Sequence, residues 1–274
     1  MNINFYDPKY DKLIKKIKIK RTTVIVLMIV CIVVTILGVL LPWIDVMDGT
    51  AKTYDGSDPF AALLQVFFVL FIGTIVHSTS VLPLFSSLDV ECDPYKHLIL
   101  NSRIKVQKNM DSICSADYFY LGNYGMSLNY AGSMVMSGKV NVILVGLFYS
   151  ARCEYMLGNY IACKNYAEEF AARLASAQGL KPKQRSELEK MGKVLILLCA
   201  IAEDDQRKIN ELCAGVEVYN ASKGTECFVN YVKGIAAYKT GDSQEAIYRF
   251  KCVTYNGSKT AFAALAEQYL ETLK

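Results

Sequence analysis

The sequence has very few of the residues that most often carry enzyme chemistry. It contains two histidines in 274 residues, His77 and His97, and a single tryptophan. In the part of the chain after its apolar runs, a Ser-His-Asp or Cys-His arrangement would depend on His97 alone. No G-x-S-x-G turn, P-loop or G-x-G-x-x-G motif occurs. The sequence therefore predicts no catalytic residue, no cofactor and no metal site, and it favours a protein that is not an enzyme.

Cysteine is present, but not in the spacing that zinc sites and redox motifs use. The nine cysteines are odd in number, and no two of them form a C-x-x-C pair. A disulfide scaffold is typical of a small, cysteine-dense secreted chain, and this chain is neither small nor cysteine-dense. Most of the cysteines lie among apolar residues of helical segments. We therefore predict buried free thiols in a reducing compartment.

The chain also lacks a basic stripe that would fit nucleic acid. The net charge is +4, and residues 1–21 account for most of it, with seven Lys and Arg against two Asp. Residues 89–274 carry 22 basic and 20 acidic residues, which is close to neutral. A nucleic-acid surface needs clustered positive charge on the folded domain. The sequence predicts no nucleic-acid partner.

Two long uncharged apolar runs lie within residues 22–85. They cover about 24–44 and 60–84, and about 20 helical residues cross the hydrocarbon of a bilayer. Each run therefore predicts a transmembrane helix. A cleavable signal peptide is the alternative for the first run, but its core is longer than usual and a second run follows. The lipid bilayer is thus the first predicted partner.

The charges that flank the two runs predict an orientation. The connecting loop, residues 45–59, contains four Asp against Lys52, whereas Lys and Arg are concentrated in 1–21 and after the second run. The positive-inside rule places the basic flanks in the cytoplasm and the acidic loop outside. We predict a multi-pass protein of the plasma membrane with both termini in the cytoplasm.

Two features near the predicted hairpin have alternative interpretations. The basic amphipathic segment 1–21 either docks on anionic lipid or acts as a plain topology signal. His77 lies in the second apolar run, where a polar residue suggests function. Small residues nearby, such as Gly73 and Gly38, favour ordinary packing between the two helices instead. A homo-oligomer through this hairpin is also compatible with the pattern.

A linker, residues 86–93, leads into a domain of residues 94–274 that has helical periodicity throughout. Short turn signals separate the helices, so neighbouring helices are expected to be antiparallel. The sequence predicts an all-α fold. The predicted helices are 94–107, 112–136, 140–157, 160–177, 183–203, 206–220, 226–239, 243–255 and 259–273.

One stretch of the helical domain has small, aromatic and turn residues at recurring positions. These are Gly234, Ala237, Tyr238, Gly241, Asp242, Ala246, Phe250 and Val253. The stretch 234–253 resembles a tetratricopeptide repeat (TPR), and 147–170 resembles it more weakly, with Ala167 in place of the aromatic. Asn230 and Lys233 depart from the motif, which prefers a large aromatic and a Leu there. The combination is typical of a bacterial membrane-tethered repeat protein.

The resemblance implies a TPR-like α-solenoid that holds a protein or peptide partner in its concave groove. The positions that would line such a groove are Phe148, Arg152, Tyr155, Tyr231, Ile235 and Tyr238. Packing between repeats is the alternative role for the same side chains. A basic groove residue, Arg152, would favour an acidic peptide. The function expected is a scaffold or adaptor tethered to the membrane, and the alternatives are an assembly subunit of a larger membrane complex or a transporter accessory subunit.

Overall fold

The chain is helical wherever its structure is described. A computed structural model describes residues 7–47, 58–104, 109–220 and 222–274. No strand occurs in those ranges, so the all-α prediction is confirmed. A short 3₁₀ helix, Pro8–Tyr10, precedes the α-helices. The α-helices are α1 (Asp11–Met47), α2 (Asp58–Asp89), α3 (Pro94–Ile104), α4 (Met110–Tyr120), α5 (Tyr124–Val135), α6 (Val140–Met156), α7 (Tyr160–Ser176), α8 (Pro182–Ala202), α9 (Gln206–Cys213), α10 (Lys223–Lys239), α11 (Ser243–Asn256) and α12 (Ala261–Thr272).

The described chain divides into two compact units, residues 7–83 and residues 84–274. In the first unit the basic segment and the first apolar run form one continuous helix, the 37-residue α1. Most of the predicted acidic loop lies outside the described residues. Helix α2 extends to Asp89, so the predicted linker 86–93 is reduced to residues 90–93.

Helices α1 and α2 approach closely at Gly73. A Cβ atom added at Gly73 would lie 2.4 Å from the Sδ atom of Met28, so only a glycine fits there without displacing that side chain. The environments of His77 and Gly38 are outside the described part of the structure. The close contact at Gly73 agrees with the small-residue packing expected from the sequence.

One bent segment in the described residues reaches the length and mean hydropathy used to recognise a candidate membrane span. It combines residues 66–76 and 81–89, which are inclined by 41° to each other. No individual helix in the described residues meets them. Pro83 lies inside α2 near this bend. Its ring removes a backbone donor and crowds the carbonyl of Thr79, which is a sufficient cause for a bend in a helix.

In the second unit, four helical hairpins share one turn geometry. Their turns contain a residue in the left-handed conformation, at Gly122, Gly158, Asp204 and Gly241, with φ between 55° and 81°. In the first turn the Gly122 N–H donates to the Phe119 carbonyl and the next N–H donates to the Tyr118 carbonyl. The same two bonds recur in the other three turns. This is the Schellman ending, which satisfies the last carbonyls of a helix.

The residue after each left-handed position is the N-cap of the next helix. Asn123, Asp205 and Asp242 each accept a hydrogen bond from the backbone N–H three residues later. One short turn therefore both ends a helix and caps the next. The left-handed residues are 36, 46 and 37 residues apart along the chain. The longest interval, 46 residues, contains α7 and α8.

Two of the predicted helices are wrong in extent. The predicted helix 112–136 is two helices, because the turn at Gly122 interrupts it. The predicted helix 206–220 ends at Cys213. Beyond it, residues 214–220 follow an irregular path that still buries Val216 and Tyr219. Residues 214–220 have the apolar spacing of a helix but are not helical, and that spacing is the reason for the wrong prediction.

The first helices of successive hairpins are neighbours in space. Helix α6 packs on α4 and α8, and α8 packs on α10. Their side chains belong to one continuous core, in which α12 also takes part. Phe119 of α4 lies 5.1 Å from Phe228 of α10 and 5.3 Å from Phe262 of α12, measured between ring centroids. Helix α4 is therefore joined to α10 and to the last helix, α12, through the interior.

Candidate functional site

The side chains expected to line a groove lie mostly in the core. Phe148 and Arg152 are fully buried, and Tyr231 and Ile235 are buried as well. Tyr155 is half-buried and Tyr238 is 39% exposed. The interior side of the stacked helices is filled by the chain's own aromatic residues. Four of the six predicted positions are thus inaccessible to a partner in this structure.

Arg152 occupies an aromatic cage at the centre of the core. Its guanidinium carbon lies 3.7 Å from the ring centroid of Phe119, 4.2 Å from that of Phe228 and 4.7 Å from that of Phe148. Its Nη1 atom donates a hydrogen bond of 2.6 Å to the hydroxyl of Tyr219. Within the described residues, Nε and Nη2 have no hydrogen-bond partner. The surrounding rings stabilise the charge through their electron-rich faces.

A second buried polar contact joins α3 to α4. His97 Nδ1 lies 2.8 Å from the Asp117 carboxylate, and both side chains are buried. Burial raises the pKa of Asp117 to about 6, against the opposing charge of His97. Burial acts to lower the pKa of His97, but the charge and hydrogen bond of Asp117 raise it above its usual value. The pair is a structural contact in the interior and faces no described cavity.

An open groove follows the seam between α7 and α8. Two separate open cavities, of about 440 Å³ and about 230 Å³, lie along this seam, and their linings together are called the groove. The α7 residues along it run from 160 to 175, which is roughly 22 Å at 1.5 Å per residue. The lining residues are Tyr160, Ile161, Lys164, Ala167, Phe170, Ala171, Leu174 and Ala175 from α7, and Arg185, Glu189, Gly192, Lys193, Ile196, Cys199, Ala202 and Glu203 from α8 and its C-cap.

The floor of the groove is apolar and made largely of small side chains. Ala167, Ala171 and Ala175 follow one another at intervals of one helical turn, and Gly192 faces them from α8. Ile196 is 50% exposed beside them. Small residues allow the backbone of another element to approach closely. The surface therefore has the shape and chemistry of a site for a helix.

The helix that follows α8 is much shorter than α7. Helix α9 has 8 residues, whereas α7 has 17, and α9 packs on α8 and α10. Of the α7 side chains, Cys163 and Phe170 are buried. Ile161, at the start of α7, is 82% exposed. The outer face of α7 is left without a covering element among the described residues.

Charged side chains border both ends of the groove. Lys164 of α7 forms a 2.7 Å ion pair with Glu203 at the end of α8. Arg185 donates a 2.6 Å hydrogen bond to the Ala177 carbonyl and so fastens the end of α7 to the start of α8. Glu189 and Lys193 add one charge of each sign. The border is mixed in charge.

The sequence pattern contained a signal for this groove. The apolar stripe of 160–177 includes Ala167 and Ala171. The stripe is unusual in its small residues, and small side chains bury little area against a neighbour. Such a stripe fits a close external contact as well as an internal one. The exposure of Ala171 and Ala175 in the structure favours the external contact, and that exposure is not evident from the sequence.

Comparison with known protein families, curated proteins and solved structures finds no match for this chain.

Proposed function

We propose that this chain is a membrane-tethered interaction module that binds a helical segment of a partner protein in the groove between α7 and α8. The groove is the observation that carries the proposal. Its length of about four helical turns, its small-residue floor and its mixed-charge border match a helix-in-groove contact. The proposal includes no catalytic step.

The membrane tether is supported by the apolar surface of α1 and α2. Val34 is 62% exposed on α1, and Phe67, Phe68 and Phe71 are 63–66% exposed on α2. Proteins that remain in water rarely expose contiguous apolar patches of this kind. Lipid would cover these side chains, and a helix satisfies its own backbone hydrogen bonds there. The basic start of α1 then favours the cytoplasmic side for the N-terminus.

The TPR-like architecture is part of the same proposal. Repeated hairpins with one turn geometry and adjacent first helices support it. Because side chains fill the interior, the proposed binding surface is on the outer face of the stack and not on its inner side. A partner helix with apolar residues at i, i+3, i+4 and i+7 would place them over Ala171 and Ile196.

The experiment compares two neighbouring alanines of α7. Ala171 and Ala172 are both exposed, but Ala171 lines the groove and Ala172 does not. Arginine at position 171 would fill the groove with a long charged side chain, whereas arginine at 172 would point elsewhere. Full-length wild type and the variants Ala171→Arg and Ala172→Arg are used to capture partners from detergent extracts, with a photo-crosslinking residue in place of Ile196 to mark the contact.

The proposal predicts that a crosslinked protein is obtained with wild type and Ala172→Arg and is lost with Ala171→Arg. The crosslink is expected to map to an amphipathic helical segment of the captured protein. Equal capture by the two variants, or no crosslink at position 196, would overturn the groove as the binding site. Melting temperatures of the variants show whether each of them is folded.

A further inference from the structure

The basic segment at the start of the first unit has two unlike faces. Six lysines lie between residues 9 and 20, and all six are exposed. Ile14 and Ile17, in the same stretch of α1, are 2% and 3% exposed. The apolar stripe that an amphipathic segment would place in lipid is therefore buried, and the lysine side chains remain accessible.

Four of the lysines border one open cavity of about 460 Å³ on the face opposite Ile14 and Ile17. Its lining residues are Lys12, Lys15, Lys16, Ile19 and Lys20, and we call this surface the lysine cleft. Their spacing of i, i+3, i+4, i+7 and i+8 places them on one side of the helix. Ile19 is 55% exposed among them. Since lysine stems are apolar and their ammonium groups reach water, the cleft combines an apolar lining with a positive border.

No carboxylate neutralises the lysine cleft. Within the part of the chain that the structure describes, its four lysines form no ion pair. Asp11 is the one acidic residue between positions 9 and 20, and it does not line the cavity. Like charges three or four residues apart on a helix repel one another. An anion bound between them would relieve that repulsion.

The lysine cleft lies directly before the first apolar run. Along α1, Lys20 precedes Val24 by about 6 Å and Lys16 precedes it by about 12 Å, at 1.5 Å per residue. The headgroup region on each side of the hydrocarbon is about 5–8 Å thick. With Val24 at the edge of the hydrocarbon, the flexible side chains of Lys16 and Lys20 reach the level of the lipid phosphates.

We propose that the lysine cleft binds an anionic phospholipid, with the headgroup phosphate among the ammonium groups and the first part of an acyl chain beside Ile19. The proposal rests on the membrane tether of the proposed function and is independent of the groove between α7 and α8. A choline headgroup brings a cation of its own, which the four lysines repel. An anionic lipid therefore matches the charge of the cleft better than a zwitterionic one.

A plain topology signal and a lipid site make different demands on the lysines. The topology signal depends on how many positive charges flank the span. A site depends on which lysines are present, because those outside the cleft do not contact the headgroup. Variants that remove equal charge from different positions therefore separate the two roles.

The test compares two such double variants of the full-length chain. Lys12→Gln/Lys16→Gln removes two lysines from the cleft, whereas Lys9→Gln/Lys18→Gln removes two exposed lysines that do not line it. Glutamine supports a helix about as well as lysine does. Wild type and both variants are purified in a neutral detergent, and native mass spectrometry measures the affinity of each for phosphatidylglycerol and for phosphatidylcholine.

Wild type is expected to bind phosphatidylglycerol at least about tenfold more tightly than phosphatidylcholine, since charged hydrogen bonds to the phosphate are worth that much. The cleft variant is expected to lose this preference, and the control variant is expected to keep it. Circular dichroism establishes that both variants are folded. Equal affinity of wild type for the two lipids, or an equal loss in the two variants, would overturn the lipid site.

Extraction of membranes with alkaline carbonate tests the tether separately. A chain that stays in the membrane and has no preference for phosphatidylglycerol would overturn the lipid site alone. A chain that carbonate releases would overturn the tether and, with it, the lipid site.

Discussion

At the scale of single residues, Arg152 combines a charge with complete burial. Its guanidinium has one hydrogen bond, to Tyr219, and is otherwise surrounded by aromatic rings. The side chain contributes packing volume to the core as well as a charge. From the sequence, Arg152 was expected to be a basic residue in a binding groove. Its burial among aromatic rings gives it a structural role in this fold instead.

Two substitutions separate the volume of Arg152 from its charge. Arg152→Ala leaves a cavity and removes the partner of Tyr219, so we expect the free energy of unfolding to fall by about 3 kcal/mol. Arg152→Met keeps most of the volume and removes a charge with unsatisfied donors, so we expect a change within about 1 kcal/mol. Denaturant unfolding of both variants checks this. A stable Arg152→Ala variant would contradict the structural role.

The buried pair of His97 and Asp117 predicts a pH dependence of stability. Both pKa values are raised in the folded chain, so the folded state binds protons more tightly than the unfolded state. The stabilisation that His97 gains from Asp117 is complete below pH 6.5, its ordinary pKa, and is lost as the pH rises through the raised value. In Asp117→Asn, burial remains and lowers the pKa of His97, so the dependence should reverse.

Melting temperatures of wild type and Asp117→Asn, measured from pH 5.5 to pH 8.5, test this sign. The advantage of wild type is expected to be largest at the acidic end and to shrink as the pH rises. An advantage that grows with pH would show that the pair is not protonated as described. His97→Gln serves as the control, because it removes the imidazole and leaves Asp117 as the titrating group of the pair.

At the scale of elements, four Schellman turns connect the two helices of each hairpin. One of these turns has an aspartate in the left-handed conformation, which favours glycine. Asp204 has φ of 55°, where the other three turns have glycine. The left-handed conformation costs a residue with a side chain about 1–2 kcal/mol. Its exposed ion pair with Lys239 offsets little of this.

Two opposite substitutions, one to glycine and one from glycine, test the free-energy cost of the left-handed conformation in these turns. Asp204→Gly is expected to raise the free energy of unfolding by about 1 kcal/mol, since it removes the strain. Gly158→Ala is expected to lower it by about 1 kcal/mol or more. No described atom lies within 4 Å of an added Cβ at Gly158, so the loss would reflect backbone conformation alone. A neutral result at both positions would contradict the assigned geometry.

How well an element was predicted depended on whether its signal was local. Turns such as Leu157-Gly158-Asn159 and Thr240-Gly241-Asp242 carry the left-handed glycine and the next cap in adjacent residues, so their places were predicted. The break at Gly122 has the same chemistry, but the apolar pattern continues across it. The end of α9 has no comparable signal, because Tyr219 is buried by contact with a residue 67 positions away.

At the scale of the whole molecule, the change in composition along the sequence lies near a structural boundary, whereas the position of the proposed groove was not predicted. The change from apolar runs to a near-neutral helical segment lies close to the boundary at residue 84. The inner face of the helical stack was expected to be open. It is closed because α4 contacts α10 and α12 through Phe119, a long-range contact that periodicity does not encode.

The central claim is that α1 and α2 lie in lipid and that residues 84–274 lie on the same side as the basic N-terminus. The most direct measurement is trypsin digestion of sealed cells that carry the chain with a C-terminal tag. The account predicts that the tagged domain survives, with cleavage confined to Lys52, and is digested once the membrane is permeabilised. Loss of the tag from sealed cells, with a cytoplasmic control protein intact, would contradict it.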